Sequence, residues 1–323
     1  MRLHNLDAAR FVLVTLVVIG HLLEQVRHVS DSVNAAYYFL YLFHIPALAL
    51  VSGAVASPVF DRAQARKWLG ALVAPYLVFQ AIYLYTEAGW QGQSFNFRLT
   101  TPYWLLWYLF SLACWRILLP VALATRWPLV LSCLVTLAAG MVSDIAYPFS
   151  FSRTLVFLPF FVGGHLYGKR LSAAGSRWLA ATALLGLAVL AWYGKSFSPM
   201  WLYGSVGYAE LKVGAWQGLA IRAGLLFLGM LGAWALVRLM PTDSRRLAWL
   251  GRMSIGAYLL HGLVVRTGIH NGWFGPVGQW SELSTILLLS TYGLALTLVA
   301  CALSYWLKPV FNYDWMWKLK RGR

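Results

Sequence analysis

The chain has 323 residues, 60% of them hydrophobic and only 11% charged, with a mean hydropathy of +0.65. A soluble domain carries about twice that share of charge, so a soluble enzyme is excluded, and so is a nucleic-acid-binding domain despite the net charge of +16. Three cysteines (Cys114, Cys133, Cys301) all fall in apolar runs and read as neither a disulfide framework nor a metal site.

Apolar runs of membrane-spanning length recur at roughly 8–26, 36–56, 69–87, 102–124, 129–146, 154–168, 178–194, 216–237, 248–265 and 283–307. No small-residue cleavage site follows the first run, which is therefore expected to stay as a helix. Seventeen Trp and seventeen Tyr fit two interfacial belts. With the N-terminus inside, inner segments hold eighteen Lys and Arg and outer segments seven, with Arg116 inside a span. That bias puts both termini in the cytoplasm. The expectation is an all-α polytopic bundle of about ten spans, one domain over 1–323, embedded in the inner (cytoplasmic) membrane. The lipid bilayer is then its first partner, and the basic charge serves topology or an anionic ligand from the cytosol rather than nucleic acid.

The first span carries the strongest signal. Asp7, Arg10, His21 and Glu24 interrupt an otherwise lipid-soluble run, and a charge at a bilayer centre costs about 2.5–3.5 kcal/mol. Arg10 and His21 are eleven residues apart, so they share a helical face at a separation of roughly 16 Å. A neutral imidazole at 21 can act as a general base on a hydroxyl or itself attack a thioester. Asp7 pairs most simply with Arg10, whose fork suits a phosphate held by two hydrogen bonds. Glu24 either orients the His21 ring or is an outer-interface charge.

Further along, His44 lies two residues before Pro46 in the second span, where a missing backbone donor allows a kink that opens a cavity. Ser52-Gly53 permits a close helix approach. Arg62, Arg66 and Lys67 in the next inner loop either flank the membrane or extend an anion site. Trp104, Trp107 and Tyr108 open the fourth span and either join the interfacial belt or stack on a sugar ring. Arg153, at the outer start of the sixth span, holds an acceptor sugar or pairs with Asp144. His261 in the ninth span is a further pocket candidate. The outer loops at about 88–101, 195–215 and 266–282 contain Trp90, Trp201, Trp273 and Trp280, and either lie on the interface or rim a substrate entrance.

Several of these segments together resemble one family. "LDAARFVLVTLVVIGH" is similar to the first helix of the acyltransferase family 3 integral-membrane proteins, with Arg10, His21 and Asp7 at the places of its Arg, His and Asp. "FHIPALALVSG" (Phe43 to Gly53) resembles the family's second hallmark. "PYWLLWYL" (Pro102 to Leu109) and "SRTLVFLPFFVGGHLYG" (Ser152 to Gly168) resemble segments of its fucose 4-O-acetylase-like branch, and "LGRMSIGAYLLHGLVV" (Leu250 to Val265) its near-terminal helix. The matches follow family order over almost the whole chain.

The resemblance implies an O-acetyltransferase with acetyl-CoA as donor substrate, no tightly bound cofactor, no metal and a cell-surface carbohydrate acceptor. On that reading His21, Glu24 and Asp7 are catalytic, and Arg10, Arg66 and Lys67 hold the donor. His44, Ser52, Trp104, Tyr108, Arg153 and His261 line the acceptor pocket. There is no Gly-rich phosphate loop, HExxH or Gly-x-Ser-x-Gly elbow. The chain either delivers the acyl group itself or hands it to a separate acceptor-side protein. The rival class is a secondary transporter or exporter of lipid-linked sugar using the same buried charges; it lacks the expected inverted repeats.

Overall fold

The structure, a computed structural model, describes residues 4–142 and 150–307. The chain folds as a helical bundle in which 78% of residues are helical, with no strand among the described residues. In order these are α1 (His4–Val26), α2 (Asp31–Ala54), α3 (Arg62–Trp68), α4 (Ala74–Gln91), α5 (Trp107–Leu123) and α6 (Pro128–Ala139). There follow α7 (Phe151–Leu171), α8 (Arg177–Gly194), the single turn α9 (Met200–Tyr203), α10 (Ala215–Leu239), α11 (Arg245–His270) and α12 (Glu282–Trp306). A π-helical turn, Leu69–Val73, joins α3 to α4, and a 3-10 turn, Trp104–Leu106, opens α5.

Local sequence sets the starts. Ser30, Asp61, Ser176, Ser244 and Ser281 each accept a backbone N–H of the first turn of α2, α3, α8, α11 and α12, the side-chain oxygen satisfying a donor that the helix leaves open. Pro128 starts α6 where a missing N–H costs nothing. Gly92 ends α4 at φ +62°, a left-handed conformation that glycine adopts without strain.

Eight segments are long and apolar enough to cross a membrane: α1, α2, α3 through α4 as one stretch, 3-10 turn plus α5, α8, α10, α11 and α12. Two of the ten expected spans are not among these eight. The run at 129–146 yields only the 12-residue α6, with the remainder largely outside the described residues, and α7 is longer than expected but falls below the apolar threshold of a span. The cause in α7 is its polar content, Ser152, Arg153, Thr154, His165, Lys169 and Arg170 in one helix.

Burial orders the bundle. Inside the protein lie 78% of the apolar stretch of α1 and 72% of that of α2, against 17% for α8 and 28% for α12. The first two helices are thus the central ones, and α8 and α12 face outward. Glycines fix how close the neighbours come. A Cβ on Gly53 would lie 1.9 Å from the Phe161 carbonyl oxygen, and one on Gly164 2.0 Å from that of Leu50, so α2 and α7 cross backbone to backbone. Small residues allow such contact between membrane helices. The approach expected at Ser52-Gly53 is this one. The same device joins α1 to α11, where a Cβ on Gly251 would lie 1.7 Å from the Asp7 carbonyl oxygen.

Candidate active site

The contact at Gly251 places its neighbour Arg252 beside α1. The Asp7 carboxylate stands between two guanidinium groups, 3.7 Å from Arg10 Nη1 and 3.8 Å from Arg252 Nη1. These arginines and Arg116 line a cavity of about 320 Å³, together with Ser52, Tyr108 and Tyr258. Ser52 Oγ and the Tyr108 hydroxyl are hydrogen-bonded at 3.0 Å across its wall. Arg116 Nε is buried and makes no hydrogen bond. A second cavity of about 240 Å³, lined by Gln64, Lys67 and Trp68, shares Arg116 and Ala71 with the first. Ala71 belongs to the π-turn, a geometry that often marks functional sites because it re-aims side chains within a helix. Lys67, though exposed, lines this second cavity with Arg116, whereas Arg66 is exposed and lines neither.

One to two turns along the same helices a third cavity, of about 260 Å³, is lined by His21, Glu24, His44, Trp104, Trp107 and Arg153. His21 Nδ1 lies 2.9 Å from His261 Nε2, and the Trp104 ring packs on the imidazole at 4.5 Å between centroids. Trp104 has a backbone φ of +29°, outside the regions that a bulky residue prefers, and strain of this kind collects at functional sites. The Arg153 guanidinium lies over the Trp107 ring at 5.1 Å. Asp144, its alternative partner, lies outside the described residues. Glu24 accepts hydrogen bonds from Tyr203 at 3.2 Å and Tyr41 at 3.5 Å, and the partner of the His21 ring is His261 rather than Glu24. Burial pushes the Tyr203 phenol up to about 12, which keeps it a donor at neutral pH.

The loop after α8 roofs this chamber with Met200, Leu202, Tyr203, Ser205 and Val206. It is tied to α2 by Asn34 Nδ2 donating to the Lys195 carbonyl, by the Lys195–Asp31 ion pair at 3.0 Å, and by hydroxyl contacts of Tyr37 with Tyr203 and of Tyr38 with the Phe197 carbonyl. Trp201 is buried in it, while Trp273 and Trp280 line a separate apolar crevice.

The residues expected to share one acceptor pocket divide between the two chambers. His44, Trp104 and Arg153 line the His21 chamber, and His261 touches it through His21. Ser52 and Tyr108 stand instead in the arginine chamber. Arg116, Arg252, Tyr258 and Tyr203 were not singled out as site residues. Arg116 carried a usable signal, a lone charge in an apolar run; Arg252 was indistinguishable from positive-inside flanking.

A cationic cavity and a histidine-lined cavity that share three membrane helices, α1, α2 and α5, define an integral-membrane site for a ligand with an anionic end. The family model described as an acyltransferase domain matches residues 3–307. The chain belongs to this family, acyltransferase family 3, and is a multi-pass membrane acyltransferase. No curated protein and no solved structure matches it.

Proposed function

We propose that the protein moves an acetyl group from acetyl-CoA to a hydroxyl of a cell-surface carbohydrate, as in the fucose 4-O-acetylase-like branch. One observation carries this reading: the arginine chamber and the His21 chamber lie along one stripe of α1, on walls shared by α2 and α5. Arg10, Arg116 and Arg252 bind the phosphates of the donor by charge-assisted hydrogen bonds, and Lys67 and Trp68 extend the site toward its nucleotide. The end carrying Arg10 faces the cytosol, where the donor is made. The pantetheine arm then runs past Tyr108 and Tyr258 over the roughly 16 Å between Arg10 and His21.

In the His21 chamber the sugar lies among Trp104, Trp107 and Arg153. His21 takes the proton of the acceptor hydroxyl while its oxygen attacks the thioester carbonyl. The C–O bond forms and the C–S bond breaks, and the departing sulfur takes the proton back from His21 to leave as the thiol. The test is transfer of labelled acetyl from acetyl-CoA in membranes holding wild type or His21→Ala, with the cell's own glycans present. Label entering glycan with wild type alone supports the reading. Equal label with both, or none with folded wild type and supplied acceptor, sinks it.

A further inference from the structure

Three buried or half-buried histidines meet at the His21 chamber, and two of them are tied in the same way. His44 Nδ1 lies 2.7 Å from the Leu40 carbonyl oxygen and His261 Nδ1 2.9 Å from that of Ala257, each one turn back on its own helix. A carbonyl only accepts, so each of these Nδ1 atoms carries the hydrogen. His21 differs: its Nδ1 turns away from α1 and meets His261 Nε2 on α11, at 2.9 Å. His261 is fully buried, with no carboxylate among the described residues in hydrogen-bond contact with its ring, so the site holds it neutral. A neutral ring with hydrogen on Nδ1 has a bare Nε2, an acceptor. The hydrogen between the rings therefore belongs to His21 Nδ1, and His21 Nε2 is left bare.

From this chain of donors we infer that His261 is a positioning residue: it fixes the tautomer of His21 so that Nε2 is the basic nitrogen, the one able to take the acceptor's proton. The inference deepens, and rests on, the acetyl-transfer reading above. His261 does not touch substrate in this role. It acts as the third member of a nucleophile–base–orienter series acts, holding one ring nitrogen so that the other is available. When His21 gains a proton, its Nδ1–H becomes a charge-assisted donor and the contact to His261 strengthens in the charged state.

The packing around His261 holds its ring in place. Tyr83 donates to the Leu259 carbonyl at 2.8 Å and Tyr258 donates to the Leu105 carbonyl, tying the turn of α11 before it to α4 and to the 3-10 turn at Trp104–Leu106. At Gly262 a Cβ would meet Leu105 Cδ2 and the Tyr83 hydroxyl at 2.2 Å, so the helices close to a distance that only glycine permits. Trp104 packs on His21 as well. The geometry is fixed by neighbours that make no other contribution to the proton transfer, which is how a base is held for reaction.

The experiment compares wild type, His261→Gln and His261→Leu by steady-state acetyl transfer to a glycan acceptor, with thermal stability measured in the same detergent. Gln places an amide oxygen where His261 Nε2 stands and can still accept from His21; Leu cannot. His261→Leu is expected to lower kcat by about 10²–10⁴-fold, the range of a general base out of place. The KM of either substrate should move by less than about threefold, since no binding contact is lost. His261→Gln should keep kcat within about tenfold of wild type. A His261→Leu protein with unchanged kcat overturns the positioning role, and so does a stable His261→Gln protein as inactive as His261→Leu. If His261→Leu does not accumulate, His261→Met provides the apolar arm. A folded wild type that transfers no acetyl overturns the acetyl-transfer reading itself, a result distinct from either.

Discussion

The two chambers share α1, α2 and α5 and have opposite chemistry. The arginine chamber is lined by Arg10, Arg116 and Arg252, and the first and last of these flank the Asp7 carboxylate. Its arginines are fixed charges, able to hold an anion and unable to exchange a proton. The His21 chamber holds imidazoles, indoles and a carboxylate bonded to phenols, groups that exchange protons or stack. Its one arginine, Arg153, shares the lining with Glu24. A cation next to a base weakens its hold on a proton. Separating the anion-binding arginines from His21 along α1 lets one helix serve both tasks without either spoiling the other.

The division is broken most directly at His21. His21→Ala should lower kcat by about 10²–10⁴-fold and leave CoA affinity within about threefold, measured by steady-state transfer and equilibrium CoA binding. A large loss of CoA affinity in this variant would mean that the chambers are one site. Arg10→Lys and Arg252→Gln should do the reverse. Each loses a charge-assisted contact of about 1.5–3 kcal/mol, which weakens CoA binding at least about tenfold with acceptor KM unchanged. Unchanged CoA affinity would remove Arg10 from the donor site. Gly251→Ala tests how the first chamber is held. The added methyl has no room against the Asp7 carbonyl oxygen, and overpacking of this kind costs about 1–3 kcal/mol. The expected result is a lowered thermal midpoint in detergent together with weaker CoA binding, because α11 carries Arg252 away from α1.

Much of this was legible in the sequence, for physical reasons. Hydropathy marks apolar runs whatever their partners, and all ten expected spans contain helix. Asp7, Arg10, His21 and Glu24 stood out because charge in an apolar run is costly. What could not be read was which faces meet. Nothing in the period of α11 indicates that Gly251 rests on Asp7, so Arg252 looked like a topology signal and His261 like one more pocket histidine. Hydropathy is equally blind to the π-turn at Leu69–Val73, which changes register without changing composition. The short α6 shows the other failure, an apolar run that is not one continuous helix.

The smallest predicted effects sharpen the division most. Trp104 and Tyr108 are four residues apart, and on a continuous α-helix they would share a face and one pocket. The 3-10 turn at Trp104–Leu106 winds three residues per turn instead of 3.6, and it turns Trp104 onto His21 while Tyr108 remains with Ser52 beside the arginines. Trp104→Leu should therefore raise acceptor KM, by the roughly fivefold that about 1 kcal/mol of stacking represents, and leave donor KM unchanged. Tyr108→Phe should raise donor KM by a similar factor, since one neutral hydrogen-bonding group of about 1 kcal/mol is lost, and leave acceptor KM alone. If both substitutions move the same constant, the two residues act in one pocket, as an uninterrupted helix would require, and the turn at 104–106 has no bearing on function.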